Sequence, residues 1–393
     1  MGQIDTLTRL HRRWWLAVGL FALVLAIGYT WLRAAWSPVD AGRWLVIAAA
    51  ALAYELWLVW RNLPHNHPPN ETVLYPTLGA GNILTLLRGL ALSLLAGFLL
   101  APWPPLAWLP AVLYTLTVVA DGFDGYLARV TGHATKLGEI LDMEFDALGV
   151  LVATVLAVQY GQLPWWVLSA GLARYLFVLG LWQRTRRGLP VYDLPPSPTR
   201  RLLAGFYMGF GTVMLWPIVY PPGTTLAGVV IAVPFLVGFT RDWLVVSGQL
   251  DPASPLYLAV RRVMAQILSR WLPPVWRLLS LILTVRLLIM AFTPPTNPIA
   301  LFNWLPLPWP TLAAGLMIGL AVSGGLFVTL GLVGRLAALA TITAITANIM
   351  VTGLHFDNGL LLTANMLLML FGTGPFSLWQ PEARFLSRRP GES

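Results

Sequence analysis

The stretch Asp121-Gly-Phe-Asp124-Gly-Tyr-Leu-Ala-Arg129 and, after a short loop, Gly138-Glu-Ile-Leu-Asp142-Met-Glu-Phe-Asp146 set four aspartates into or beside apolar segments. A charged carboxylate at the centre of a membrane helix costs roughly 2.5–3.5 kcal/mol on insertion scales, so such groups persist beside cations or a water-filled cavity. If both stretches are helical, Asp121, Asp124 and Ala128 follow one another at i, i+3 and i+7. Gly138, Asp142 and Asp146 do so at i, i+4 and i+8, and each set shares one helix face. The intervening Thr131-Gly-His-Ala-Thr-Lys136 is short enough to make the two helices antiparallel neighbours, which predicts four converging carboxylates. Gly125 and Gly138 remove side chains either where the helices approach or where a ligand touches backbone. Donors that offer only oxygen select hard cations, Mg2+ or Mn2+, and Mg2+ is usually held by a few carboxylates together with substrate phosphates. The chemistry expected is therefore that of a metal site handling a diphosphate. The plainer alternative is that these acids pair with arginines at the membrane interface.

The elements that position these residues are membrane helices. A chain of 393 residues with 57% hydrophobic and 10% charged residues cannot cover a water-exposed surface, which needs about a quarter charged residues. Apolar runs of roughly 17–23 residues are long enough to cross a hydrocarbon core as helices. The pattern predicts an all-α polytopic membrane protein of about ten transmembrane helices: two N-terminal, a six-helix catalytic core and four C-terminal. Residues 1–75 hold the N-terminal pair and the polar connector Asn62-Leu-Pro-His-Asn-His-Pro-Pro-Asn-Glu71, which cannot continue a helix. Residues 76–250 hold the core, with the acidic stretches on spans near 106–128 and 138–159. Residues 251–277 carry Arg261, Arg262, Arg270 and Arg277 among apolar residues, the composition of a helix lying on an anionic leaflet. Residues 278–393 hold the last four spans. The absence of cysteine excludes disulfides and thiolate sites.

The net charge of +9 is a topology signal, not a nucleic-acid footprint, because the basic residues sit between spans. Arg9, Arg12 and Arg13 precede the first span and put the N-terminus in the cytoplasm. Alternation then places Arg61, Arg129, Lys136, Arg184, Arg335, Arg384, Arg388 and Arg389 on the same side, whereas Arg33 and Arg43 bracket an outside loop. An integral protein of the bacterial inner or plasma membrane with a cytoplasmic acidic site is expected.

The acidic stretches resemble the motif of the CDP-alcohol phosphotransferase family, D-x-x-D-G-x-x-A-R, eight residues, then G-x-x-x-D-x-x-x-D. Every fixed position is met by Asp121, Asp124, Gly125, Ala128, Arg129, Gly138, Asp142 and Asp146, with residues 130–137 as spacer. Asn82-Ile-Leu-Thr85-Leu-Leu-Arg88 is similar to the first-helix signature of that family, with Gly81 where the signature has proline. The resemblance implies that Asp121, Asp124 and Asp142 hold divalent cations and that Asp146 is the general base while sharing a metal. It implies that Arg129 contacts the diphosphate, that Gly125, Ala128 and Gly138 line the nucleotide site, and that Asn82 and Thr85 meet the cytidine. The activity implied is transfer of a phosphatidyl or substituted phosphate group from a CDP-linked donor, CDP-diacylglycerol first among them, to an acceptor alcohol, with release of CMP. Membrane lipids and a second copy of the chain are the other expected partners.

The acceptor must be chosen outside the motif. Arg174 lies deep in an apolar run and, with Lys136, Arg200, Arg201 and Arg241, is a candidate for binding a phosphate on the acceptor. His65, His67, His133 and His355 are expected in loops, not on metal, because none shares a helix face with a carboxylate. The last four spans resemble the DoxX-like family of four-helix membrane proteins. A cation-coupled transporter or an accessory membrane protein is the competing reading, although carriers usually scatter their acids near the midplane between inverted repeats.

Overall fold

A computed structural model describes residues 3–195, 197–292 and 309–381. Among these residues every regular element is helical. The expected division into two, six and four long helices is met by α1 (Gln3–Ala35) and α2 (Pro38–Asn62), by α3 (Gly79–Ala96) to α8 (Gly223–Val246), and by α10 (Leu272–Phe292) to α13 (Phe356–Phe371). Among the described residues eight helices are long and apolar enough to cross a membrane, and the protein is an integral membrane protein. The expected count of about ten falls between these eight spans and the twelve long helices. Their carboxylates lower the apolarity of α4 (Leu109–Val130) and α5 (Lys136–Gln159).

The chain divides into two compact units. The first contains Met1–Tyr175 and Met208–Ile218. Its α2 starts at a Ser37 cap, whose Oγ accepts from the Asp40 amide at 3.1 Å, followed by Pro38 in the first turn, where a missing N–H costs nothing. The α2 face bearing Trp44, Leu52, Leu56 and Val59 packs with Leu92 and Leu95 of α3 and with Leu141 and Phe145 of α5 in one buried core. The Trp44 indole donates to the Leu94 carbonyl at 3.0 Å. The N-terminal pair is thus built into the core of the helices that carry the acidic stretches. α3 packs against both α4 and α5.

The second unit contains Leu176–Tyr207 and Val219–Arg389, so α6 (Leu168–Arg186) and α7 (Pro198–Leu215) each contribute to both. Helix α9 (Pro255–Gln266) buries none of its residues. It continues through a widened turn at Ile267–Trp271 into α10. α10, α11 (Pro310–Leu330), α12 (Gly334–Thr352) and α13 pack on one another as a four-helix bundle. Arg277 departs from the expectation of an interfacial arginine: it is buried inside α10. Its guanidinium donates to the carbonyls of Val328 and Thr329 at the end of α11 and of Thr373 and Pro375 beyond α13. The physical reason is that helix ends leave carbonyls unpaired, and a fork of donors satisfies several at once. Arg384, Arg388 and Arg389 lie outside the described residues.

Candidate active site

The two acidic stretches form the end of α4 and the start of α5. Thr135 caps α5, its Oγ1 accepting from the Gly138 amide at 3.0 Å. The five-residue turn between the helices is tied to the Pro-rich connector. The Lys136 amide donates to the His67 carbonyl at 2.9 Å, and His133 stacks on Tyr75 with ring centroids 4.0 Å apart. His133 Nε2 lies 3.0 Å from the Thr77 carbonyl oxygen. His67 Nδ1 lies 2.8 Å from the Pro68 carbonyl, and His355 caps α13. None of the three stands with the acids; their contacts are those of loop residues.

The helices bring the carboxylates together as the spacing predicts. One oxygen each of Asp121, Asp142 and Asp146 lies within 4.8 Å of the others. Asp124 stands beside this trio and is held differently, with Oδ2 accepting from Thr85 Oγ1 at 3.0 Å and Oδ1 from the Gly125 amide at 2.6 Å. Asp146 Oδ1 is buried and, among the described residues, has no hydrogen-bond partner. A buried carboxylate oxygen left unsatisfied is costly. A trio of oxygen donors, one of them buried without a hydrogen bond, fits a hard divalent cation.

What the spacing did not disclose is the cation already among the acids. Arg88 of α3, with 1% of its side chain exposed, reaches all four aspartates. Its Nη1 pairs with Asp121 and lies 3.5 Å from Asp124 Oδ2. Its Nη2 lies 3.1 Å from Asp142 Oδ1 and 3.4 Å from Asp146 Oδ1. The plainer reading of the acids as partners of arginine is thereby partly realised, but by one buried arginine and not by the interfacial ones. The signal was present in sequence: an arginine at i+6 from Asn82 and i+3 from Thr85 shares the face of α3 that carries its polar residues, and inside an apolar helix it requires counter-charges.

The glycines divide between the two roles left open for them. A Cβ at Gly138 would stand 2.6 Å from Asn82 Oδ1, so this glycine serves the approach of α3 to α5. At Gly125 a Cβ would meet only the mobile end of Arg129, at 3.2 Å. That face is open to a ligand. Ala128 packs where a Cβ on Gly81 would lie 2.9 Å from its methyl carbon. Asn82 is buried, its Nδ2 donating to Thr135 Oγ1 at 2.9 Å and to Asn66 Oδ1 at 3.3 Å. Arg129 is exposed.

The five acceptor candidates divide between the two units. Lys136 pairs with Glu139 at 2.8 Å on the surface, and Arg174 with Glu144 at 3.0 Å. In the second unit Arg200 and Arg241 both pair with Asp242, each at 2.7 Å, and Arg201 is exposed.

Residues 79–240, which contain this site, match the family CDP-alcohol phosphatidyltransferase. A protein of Cereibacter sphaeroides named CDP-diacylglycerol–glycerol-3-phosphate 3-phosphatidyltransferase is 41% identical over 25% of this chain and 47% of its own length. One of the same name from Pectobacterium atrosepticum is 38% identical over 22% of this chain and 48% of its own. A Mycobacterium bovis protein, provisionally named a cardiolipin synthase, is 31% identical over 28% of this chain and 51% of its own. The chain spans about half the length of the curated relatives it matches. No solved structure matches it.

Proposed function

We propose that this protein transfers a phosphatidyl group from CDP-diacylglycerol to an acceptor alcohol and releases CMP. The observation that carries the reading is the carboxylate trio within the residues that match the CDP-alcohol phosphatidyltransferase family, in which the buried Asp146 Oδ1 makes no hydrogen bond and has the Arg88 guanidinium 3.4 Å away. The names of two relatives favour glycerol 3-phosphate as acceptor, and a third relative is provisionally named a cardiolipin synthase.

Asp146 removes the acceptor hydroxyl proton onto its carboxylate, and the alkoxide attacks the phosphorus that bears the diacylglycerol. The new P–O bond forms as the bond from that phosphorus to the CMP oxygen breaks. A base must lie within hydrogen-bond reach of the proton it takes, and Asp146 Oδ1 has no hydrogen bond to give up for it. Asp121, Asp124 and Asp142 would hold Mg2+ or Mn2+, which would neutralise charge on the diphosphate. Arg129 grips the diphosphate through its fork of donors, and the open face at Gly125 lets the nucleotide lie against backbone. Asn82 and Thr85, already spent on Thr135 and Asp124, position the site from beneath and meet the cytidine with their remaining edges. Arg174, Lys136, Arg200, Arg201 and Arg241 remain the candidates for an acceptor phosphate, Arg174 being tied to α5 by its pair with Glu144. The cytoplasmic orientation follows from the arginine distribution, and a homodimer from the family resemblance.

The test is release of CMP by the purified protein from CDP-diacylglycerol with Mg2+ and a panel of alcohols that includes glycerol 3-phosphate and phosphatidylglycerol. CMP release with one acceptor supports the reading. Absence of CMP with every acceptor overturns it.

A further inference from the structure

One acidic side chain from outside the matched residues reaches into the domain. Glu55 of α2 is 2% exposed, and its Oε2 accepts from Ser93 Oγ of α3 at 2.7 Å. A Cβ at Gly89 would stand 2.9 Å from the same oxygen, so glycine beside Arg88 makes room for the carboxylate. The other oxygen, Oε1, is buried without a hydrogen-bond partner, and so is Nε of Arg88. Two orphaned groups of complementary chemistry thus flank one turn of α3: an acceptor brought by α2 and a donor on the arginine that spans the aspartates.

We propose that Glu55 is the second seat of the Arg88 guanidinium: Arg88 holds the four aspartates together before divalent cations bind, and turns to Glu55 when they do. The proposal rests on the reading of the aspartates as a metal site. A guanidinium and a divalent cation cannot share the same carboxylate oxygens at close range, because their charges repel and the oxygens have few lone pairs to divide. An arginine displaced into an apolar helix packing needs another carboxylate, since an unpaired buried charge is far costlier than a paired one. Helix α2 supplies that carboxylate, which makes the N-terminal pair part of the machinery and Glu55 a positioning residue acting through Arg88.

The experiment is a double-mutant cycle on Mn2+ affinity, read by electron paramagnetic resonance on the purified full chain in detergent. Glu55→Gln should raise the Mn2+ Kd at least fivefold, because Arg88 then lacks its alternative seat. Arg88→Gln should lower the Kd, because the competing cation is gone. In the Arg88→Gln background, Glu55→Gln should change the Kd by less than twofold. An unchanged Kd in the Glu55→Gln single variant overturns the proposal. So does an equal rise in the presence and absence of Arg88, which would mean that Glu55 acts without it. If Glu55→Gln does not fold, the Arg88→Gln protein decides alone: tighter binding supports the exchange, unchanged or weaker binding overturns it. Failure of the underlying metal reading has its own signature, namely Mn2+ binding that is absent or insensitive to Asp142→Asn.

Discussion

Among the described residues two arginines are buried, and their surroundings differ in kind. Arg88 is surrounded by four carboxylates, of which Asp142 keeps 47% of its side chain exposed. Arg277 in the C-terminal bundle is surrounded by neutral backbone carbonyls at the ends of α11 and α13. The first set of partners is charged, partly open and in excess, so it can accept another cation. The second is fixed by the helices themselves, and the negative ends of two helices make it a permanent berth for a positive charge. A buried charge in a membrane protein therefore marks function where its counter-charges exceed it, and architecture where the backbone alone satisfies it.

The comparison can be broken at either end. The largest effect is expected from chelating divalent cations, which should abolish CMP release and have no such consequence for the fold of the Arg277 bundle. CMP assays and thermal unfolding on the same sample check both halves. Asp146→Asn should lower CMP release by about 10²–10⁴-fold, the usual worth of a general base, while a fluorescent CDP-lipid still binds. Normal turnover would remove Asp146 from the proton transfer. Arg277→Leu should destabilise the protein by about 3 kcal/mol through unpaired buried carbonyls, seen as a lower thermal midpoint with unchanged Mn2+ affinity. A weakened Mn2+ affinity would show that Arg277 is not a purely architectural clamp. The two glycines give the smallest effects. Gly138→Ala should cost about 1–3 kcal/mol of stability by overpacking against Asn82. Gly125→Ala should fold normally and raise KM for the donor roughly tenfold, the scale of one methyl group in a pocket.

Much of the site was legible because helical periodicity is local. Asp121 with Asp124, and Asp142 with Asp146, share faces by spacing alone, and the short loop at Thr131–Lys136 leaves their helices little choice but to pair. Membrane character was legible from composition, and the two, six and four helices from the lengths of apolar runs. Arg88 was missed because one arginine in an apolar run looks the same whether it faces lipid, water or acids. Arg277 was misjudged for a related reason: an arginine near a membrane boundary satisfies the topology rule equally well when it lies on the surface and when it points inward to carbonyls. Gly125 and Gly138 were indistinguishable until the neighbours were known, since what a glycine makes room for belongs to another helix.

The sequence by itself determined that this is a helical membrane protein and that four aspartates occupy two facing helix turns, because both follow from hydropathy and from a repeat of 3.6 residues. Only the tertiary structure decided which cation those aspartates surround, and that α2 delivers Glu55 behind it. Those are contacts between residues 33 to 58 positions apart, and no local period encodes which face of one helix meets which face of the next.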